Sequence, residues 1–598
     1  MLFDGECTFC RRWIARWAER TGDRVRFVPF QEAGGLAAEI SPESLAGAVH
    51  LIRPGQCTLR GAEAVFAMPG MADTFWARVY RTLPGFRSVS DAAYAQVSRH
   101  RTAASRFTRL LWGNEVGRPH WRIGSAIFLR LLGLVHAIAF GSLAVQMPGL
   151  IGARGLQDAT GFLAAVAERV GLERFWLVPT IFWGGSSDAV LIGVAWVGCV
   201  LGLLVLCGVW QGPLLLLGWV FYLSLSSVGG VFLGFQWDAF LLEATLLAVF
   251  LAPWKFWIPP GSFPEPPRAA HGLLRFLLFR LMFLSGLVKL TSGDPSWSGL
   301  TALMIHYETQ PLPTVIGWAA HQLPGWFHRF SAALMFGIEL VVPLFVFAPR
   351  RLRMLAFSGI AFLMVLIALT GNYCFFNLLT LALALLLLDD SQWPGRLSRR
   401  ASQGVQKGPT KARLQPRVAT VAACVLAPLA LIPFAAECLP ARSLPRALET
   451  VHGWVAPFRS INGYGLFRVM TQPRHEIQIE GSADGITWKP YGFRWKPGLE
   501  DRMPAFVAPH QPRLDWQMWF AALGRIEHNP WLVQLCRRLL EGEPAVLRLM
   551  GENPFPDHPP RYIRGMLYEY HFTRAGESGW WEAGLVRAYT PEFSLPQR

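Results

Sequence analysis

The sequence is poor in charge. Asp, Glu, Lys and Arg make up only 16% of its 598 residues, against about 25% in ordinary soluble domains. It also lacks several catalytic signatures. There is no Gly-x-Ser-x-Gly nucleophile elbow, which argues against a serine hydrolase of the lipase type. No Walker or Rossmann glycine pattern stands out. No stretch within residues 1–123 is long enough to span a bilayer, and no cleavable signal peptide is expected ahead of them. No inverted repeat of the kind that marks many transporters is visible.

What is abundant is apolar. Hydrophobic residues reach 52%, with 25 Trp among them, and the mean hydropathy is +0.30. Lipid is therefore expected as the solvent for much of the chain, with tryptophans suited to interfacial belts. The net charge of +16 is read as the positive-inside excess of a membrane protein, because the arginines cluster beside apolar runs; nucleic acid is not an expected partner. A chain of this length predicts two to four domains.

A span needs roughly 20 apolar residues. Nine candidates fall at 124–146, 188–208, 213–234, 238–253, 273–291, 328–348, 352–370, 372–388 and 417–436. The chain then divides into a soluble domain at 1–115, a helical membrane bundle at 124–436 and a soluble domain at 437–598. Connections 349–353 (Arg350, Arg351, Arg353) and 389–416 (Arg396, Arg399, Arg400, Lys407, Lys411, Arg413) are the basic ones. Both are expected in the cytoplasm. With nine spans the N-terminal domain is cytoplasmic and the C-terminal domain lies outside, where Cys438 and Cys536 are able to pair.

The N-terminus reads Leu2-Phe3-Asp4-Gly5-Glu6-Cys7-Thr8-Phe9-Cys10, then a helical stretch from Arg11 to Arg20. Cys7 at a helix N-terminus is placed for thiolate chemistry, with Arg11 and Arg12 adding positive charge and Cys10 placed to resolve a mixed disulfide. Half of a zinc site and a structural pair are the other readings. No second Cys or His pair follows at zinc spacing, so neither a metal nor a cofactor is expected. The Asp4-Gly5-x-Cys7-x-x-Cys10 pattern, with Gly61-Ala62-Glu63-Ala64-Val65, resembles the DCC family of thioredoxin-like proteins (DUF393) over about residues 1–115. The resemblance implies a thioredoxin-like α/β fold and thiol–disulfide oxidoreductase activity, with Asp4, Cys7 and Cys10 as its catalytic residues and a thiol redox partner. The first strand is unusually short, and the natural start is expected upstream of Met1.

Further along stand Phe235-Gln236-Trp237-Asp238, His306-Tyr307-Glu308-Thr309-Gln310-Pro311-Leu312-Pro313, Thr370-Gly371-Asn372-Tyr373, Asn462-Gly463-Tyr464-Gly465-Leu466-Phe467, and Ala508-Pro509-His510-Gln511-Pro512-Arg513-Leu514-Asp515-Trp516-Gln517. With Asn553-Pro554-Phe555-Pro556 and Tyr562-Ile563-Arg564, they resemble the lipase maturation factor family from about residue 120 to 595. The resemblance implies a multi-pass membrane chaperone whose clients are secreted lipases or similar proteins. The animal members sit in the ER; the fused N-terminal domain suggests a bacterial inner-membrane member.

From the residues alone, the C-terminal domain reads as α+β. Strands are expected at 475–480 and 486–495 around the Asp484-Gly485 hairpin signal, helices at 515–524 and 530–541, and strands near 545–550 and 562–573. His510, Arg513, Asp515 and Trp516 concentrate polar chemistry as either a client-binding surface or an Arg513–Asp515 pair that pins a loop. Within the spans, Asp238, Glu243, Arg280, Lys289 and Glu339 are costly unless paired or hydrated. Glu243 with Arg280 is the preferred pair. Asp238 and Lys289 are expected near the outer interface, lining a water-filled cavity. The run Ser285-Gly286-Leu287-Val288-Lys289-Leu290 followed by Trp297 also resembles the membrane core of vitamin K-dependent carboxylases. That resemblance implies a lysine base at Lys289, so a carboxylase-like membrane enzyme, beside a membrane oxidoreductase using Cys7 and Cys10, is the alternative function.

Overall fold

The computed structural model describes residues 1–53, 55, 57–113, 116–403, 414–439 and 444–596. Lys407, Lys411 and Arg413 of the basic connection lie outside the described residues. The chain divides into two compact units: residues 1–120 with 348–354, and residues 121–347 with 355–598.

In the first unit, Leu2–Phe3 lies between Val28–Pro29, to which it is parallel, and His50–Leu51, to which it is antiparallel; Leu59–Arg60 closes the sheet. Alternation along the short first strand puts Leu2 and Phe3 on opposite faces. Phe3 joins Ile14, Val49, Leu51 and Met68 in one core, while Leu2 joins Ala33 and Leu45 in another. The first helix, Thr8–Thr21, starts three residues earlier than its apolar pattern suggests, because Cys7 itself is the N-cap.

In the second unit, six helices among the described residues are long and apolar enough to cross a membrane: Arg122–Ala144, Asp188–Cys207, Gln211–Val228, Gly325–Phe347, Arg350–Thr370 and Leu414–Cys438. Nine spans are therefore not found on these criteria. Expected span 238–253 is the helix Gln236–Leu251 of 16 residues, about 24 Å long at 1.5 Å per residue, short of the roughly 30 Å hydrocarbon core. Expected span 273–291 lies in Arg268–Thr291, which is long but carries Arg268, Arg275, Arg280 and Lys289. Expected span 372–388 becomes a nine-residue helix, Phe376–Ala384, that tightens into a 3₁₀ turn. All three are largely buried within the unit, whereas 414–438 and 325–370 expose most of their surface. The helices that hold Asp238, Glu243, Arg280 and Lys289 are surrounded by protein.

The C-terminal part carries an antiparallel sheet in which Tyr562–Phe572 lies between Trp581–Ala588 and His475–Ser482, with Lys489–Pro490 beyond. Phe593–Ser594 also pairs with 562–572. The Asp484-Gly485 turn forms as expected: Gly485 has φ +80°, and Asp484 accepts from the Ile486 and Thr487 N–H groups at 2.8 and 2.7 Å. Two local expectations fail. The strand expected at 486–495 splits into 489–490 and 492–493, and 545–550 begins as the short helix Pro544–Leu547, with Pro544 at its first turn and strand only from Met550. Helices Arg513–Ala522 and Pro530–Leu540 bury their apolar faces in the same apolar cluster as the bundle helices and the sheet. Cys438 and Cys536 are both free; Cys536 points into the core of its helix packing while Cys438 is exposed, so the pairing expected of them is not made.

Helices 122–144 and 188–207 approach so closely that a Cβ on Gly133 would meet the Gly202 carbonyl, and one on Gly202 would meet the backbone of Gly133 and Ala137. Small residues at such crossings are how apolar helices pack where no hydrophobic force separates them from lipid. Gly202→Val is expected to destabilise the chain by about 1–3 kcal/mol through overpacking, read as a lowered thermal unfolding midpoint of the detergent-solubilised protein. An exposed control on the same helix, Val200→Leu, leaves the midpoint unchanged.

Candidate functional site

Three groups of side chains carry chemistry. The first is the dithiol. Cys7 Sγ accepts from the Cys10 N–H at 3.4 Å. Asp4 stands beside the pair: its carboxylate accepts from the Glu6 N–H at 3.1 Å and from Gln31 Nε2 at 3.0 Å, and pairs with Arg101 at 3.1 Å. Cys10 lines a small cavity of about 40 Å³ with Phe9, Trp13, Trp17 and Arg101. Its thiol is pushed up to about 12, first by burial, then by the hydrogen bond and charge of Cys7, with Arg101 opposing and Asp4 adding to the rise. Cys10 is thus held in its protonated form. Arg101 and Gln31 went unnoticed in the sequence, being 97 and 27 residues from Asp4 in stretches without a motif.

The second group joins the bundle to the C-terminal domain. Asp238 and Arg513, each with side chains about 1% exposed, form a bidentate pair at 2.9 and 3.0 Å. The Tyr222 hydroxyl donates to Asp238 at 2.5 Å, and Arg513 also donates to the Phe232 carbonyl. One turn along the same helix, Glu243 pairs with Arg280, donor of a second bond to the Asn462 carbonyl. The other Glu243 oxygen accepts from the Asn462 N–H and side-chain amide and from the Tyr464 hydroxyl, at 3.1, 3.0 and 2.7 Å. Farther out, Glu476 holds both Arg474 and Lys496, at 2.6 and 2.9 Å.

This geometry corrects two expectations. Arg513 does not pair with Asp515. The two lie two apart on one helix, and side chains at that spacing point to different sides. Asp515 instead accepts from the Trp495 and Lys496 N–H groups at 2.8 and 3.0 Å, burial raising its pKa against those bonds. Nor do His510, Arg513, Asp515 and Trp516 form an exposed surface. Trp516 stacks edge-on against Trp237 at 4.7 Å. His510 Nδ1 meets the Ser142 hydroxyl at 2.9 Å, and burial followed by Arg513 and Arg494 lowers the ring's pKa. The cluster is a seam. A third expectation changes as well: Asp238 is sealed by protein, while Lys289 lines a cavity in which Asp238 has no part.

The third group is Lys289 with Glu339. Lys289 Nζ donates to both Glu339 oxygens, at 2.9 and 2.8 Å, and to the Ser285 carbonyl at 3.0 Å. Its N–H bonds are directed at the Glu339 carboxylate and the Ser285 carbonyl. The pair lines a largely apolar cavity of about 340 Å³.

Family models match all three parts of the chain. The lipase maturation factor transmembrane domain covers residues 123–395 and the lipase maturation factor C-terminal domain residues 460–591. The DCC1-like thiol-disulfide oxidoreductase covers residues 1–107. Among curated relatives, lipase maturation factor 2 of Rattus norvegicus is 36% identical over 79% of this chain and 83% of its own length. The Homo sapiens lipase maturation factor 2 is 35% identical over the same shares. Lipase maturation factor 1 of Bos taurus is 33% identical over 78% of this chain and 88% of its own. No solved structure matches the chain.

Removing Arg513 leaves Asp238 as an unanswered buried charge. Arg513→Ala is expected to cost about 3–5 kcal/mol, seen as a lowered unfolding midpoint and as new protease cleavage between residues 440 and 513 of the full chain. The double variant Asp238→Leu/Arg513→Met removes both charges and should recover most of the loss. A double variant as unstable as Arg513→Ala would mean that the pair is not what joins the two parts.

Proposed function

The chain belongs to the lipase maturation factor family, with a DCC1-like thiol-disulfide oxidoreductase domain at its N-terminus, and on that footing we propose that it is a membrane-bound chaperone that brings secreted lipases, or clients like them, to their active folded form. The relatives carry the maturation of lipases in their names. The observation that carries the reading on this chain is the C-terminal domain. It holds a cleft of about 430 Å³ lined by Tyr491, Phe493, Leu499, Arg502 and Tyr570. Around it Leu499, Met503 and Phe506 are 65%, 51% and 50% exposed. Apolar attraction is non-directional, so a cleft and a greasy rim on a rigid platform suit partly folded clients of varied sequence. In this reading the C-terminal domain lies on the outer side of the membrane and the N-terminal domain in the cytoplasm, as the basic residues at 349–353 favour. The bacterial inner membrane is the proposed location.

The test is the specific activity, per folded mass, of a secreted lipase made with and without this protein. Deleting the C-terminal domain is a poor variant, since it strands Asp238 and Glu243 in the bundle. Leu499→Asp with Phe506→Asp changes only exposed side chains. It is expected to lower lipase specific activity several-fold at unchanged lipase synthesis and unchanged chaperone level. Full lipase activity without the protein would remove the maturation reading for this chain.

Redox work at the dithiol is a separable part of the proposal. Cys7 attacks one sulfur of a partner disulfide and expels the other as a thiolate. Cys10 then loses its proton and attacks Cys7, so the partner leaves as a dithiol and Cys7–Cys10 is left oxidised. Cys10→Ala should accumulate mixed disulfides on Cys7, and Cys7→Ala should accumulate none. If Cys10→Ala traps nothing, the dithiol is structural. A membrane-impermeant maleimide that reaches Cys7 only after the membrane is opened supports the cytoplasmic placement; labelling from outside overturns it.

A further inference from the structure

The cavity beside Lys289 and Glu339 is unused by the maturation reading and does not depend on it. Its walls come from the helices 268–291, 325–347 and 350–370 and from the segment 303–323. Leu281, Met335, Leu363 and Ile367 make it apolar. Ile316, Leu323 and Leu366 line it and are also exposed on the outside, so its mouth is apolar and opens sideways, beside the spans that show most surface. A volume of about 340 Å³ falls within the roughly 300–1,000 Å³ of small-molecule sites.

The polar end of the cavity has a definite sense. Lys289 directs its N–H bonds at Glu339 and Ser285, so its charge is already answered inside the wall. Glu339, on a π-helical turn spanning Gly337–Val341, keeps lone pairs beyond the two that accept from Lys289. Such turns recur at functional sites. His306 supplies a second acceptor. Tyr373 donates its hydroxyl proton to Gln310 Oε1 at 2.9 Å, an orientation set by Gln310 Nε2 donating to the Thr370 carbonyl at 2.8 Å. The contact of 3.2 Å between His306 Nε2 and the Tyr373 oxygen is therefore donated by His306. The proton of the neutral ring sits on Nε2, and Nδ1 is left an acceptor, buried and without a partner. Burial, then the charge of Lys289, keep that ring neutral by lowering its pKa.

From this we infer that the cavity is a binding site for a long-chain lipid with an uncharged hydroxyl head, of the monoacylglycerol or long-chain alcohol type. The chain fills the apolar volume and enters through the lateral mouth. The head donates to Glu339 and His306, the two acceptors that the fold leaves open. An anionic head meets the Glu339 carboxylate and a lysine whose charge that carboxylate already answers, and an ester without a hydroxyl has nothing to donate.

The test uses the full chain in nanodiscs and a photoactivatable, alkyne-tagged 1-monoacylglycerol. Cross-links are expected on the residues lining the cavity, and 1-monooleoylglycerol or oleyl alcohol should compete about tenfold better than methyl oleate or oleate, the value of one or two hydrogen bonds. Ala320→Phe, which puts a ring into the cavity from its wall, should abolish these cross-links with the unfolding midpoint unchanged or raised. His306→Phe keeps a ring and removes one of the two acceptors, and it should reduce the preference for alcohol over methyl ester several-fold while methyl oleate binding stays the same. A purely structural histidine would not move that ratio. Cross-links spread over the lipid-facing helices 188–207 and 414–438 and indifferent to Ala320→Phe would overturn the site. Equal competition by methyl oleate would overturn the assignment of the head. Either result leaves the lipase-activity test untouched, so the two readings fail separately.

Discussion

A carboxylate enclosed by an apolar bundle has to be answered, and the two on helix 236–251 are answered from the far end of the chain. Asp238 receives Arg513, and Glu243 receives Asn462 and Tyr464 in addition to its bundle partner Arg280. Breaking a buried pair costs more than the pair contributes when intact, so its main effect is to forbid partial assembly. The bundle cannot be complete without residues 462–513, and those residues cannot leave it. That constraint explains why one continuous apolar cluster runs from Phe128 in the bundle through Tyr464 and Trp516 to Leu567 in the sheet, and why residues 121–347 and 355–598 form one compact unit.

Three buried ion pairs that involve the bundle helices differ in what they leave over. Asp238 has both oxygens bridged by Arg513 and one also held by Tyr222. Glu243 has Arg280 on one oxygen and three donors on the other. Neither has room for a ligand. Glu339 has a single partner residue, Lys289, which donates to the carboxylate and to the Ser285 carbonyl. Two pairs are closed and hold parts of the chain together, whereas the third is neutral overall and open on its acceptor side. Position reinforces the distinction: the closed pairs sit at the contact with the C-terminal domain, and the open one faces a cavity.

Much of this was legible in the sequence wherever the cause was local. Cys7-x-x-Cys10 before a helical pattern announced its own N-cap geometry, and Asp484-Gly485 announced its turn. Glu243 and Arg280 are readable as partners because opposite charges in the middle of neighbouring apolar runs are costly unless paired. The rest depended on distance in the chain. Nothing near Arg513 names Asp238, which is 275 residues away, and a reader of local text pairs it with Asp515 instead. The expected count of nine spans is not reached among the described residues for a related reason. The helices 236–251 and 376–384 are apolar enough to resemble spans, but they are short and enclosed by other helices, and hydropathy does not distinguish a helix surrounded by protein from one surrounded by lipid. His306 as an acceptor was out of reach altogether, because its tautomer follows from Tyr373, Gln310 and Thr370 in sequence.

The closed seam also limits how the molecule can act on a client. A domain bound to its bundle through fully desolvated charge pairs cannot hinge away and return within a working cycle, because each opening would expose Asp238 and Glu243 unpaired. Motion must therefore be confined to elements outside the seam. The segment around Leu499, Met503 and Phe506 meets this condition at its exposed side chains, yet its end is pinned: Asn372 in the bundle accepts from the Val507 and Ala508 N–H groups at 2.7 and 3.0 Å and donates to the Ala505 carbonyl at 2.8 Å. The apolar rim is thus presented by a fixed base with free side chains. Under the proposed function, such a surface would hold a client by partitioning of its exposed apolar groups and release it as those groups become buried in the client's own core, a cycle that needs no conformational change in the domain that presents the surface.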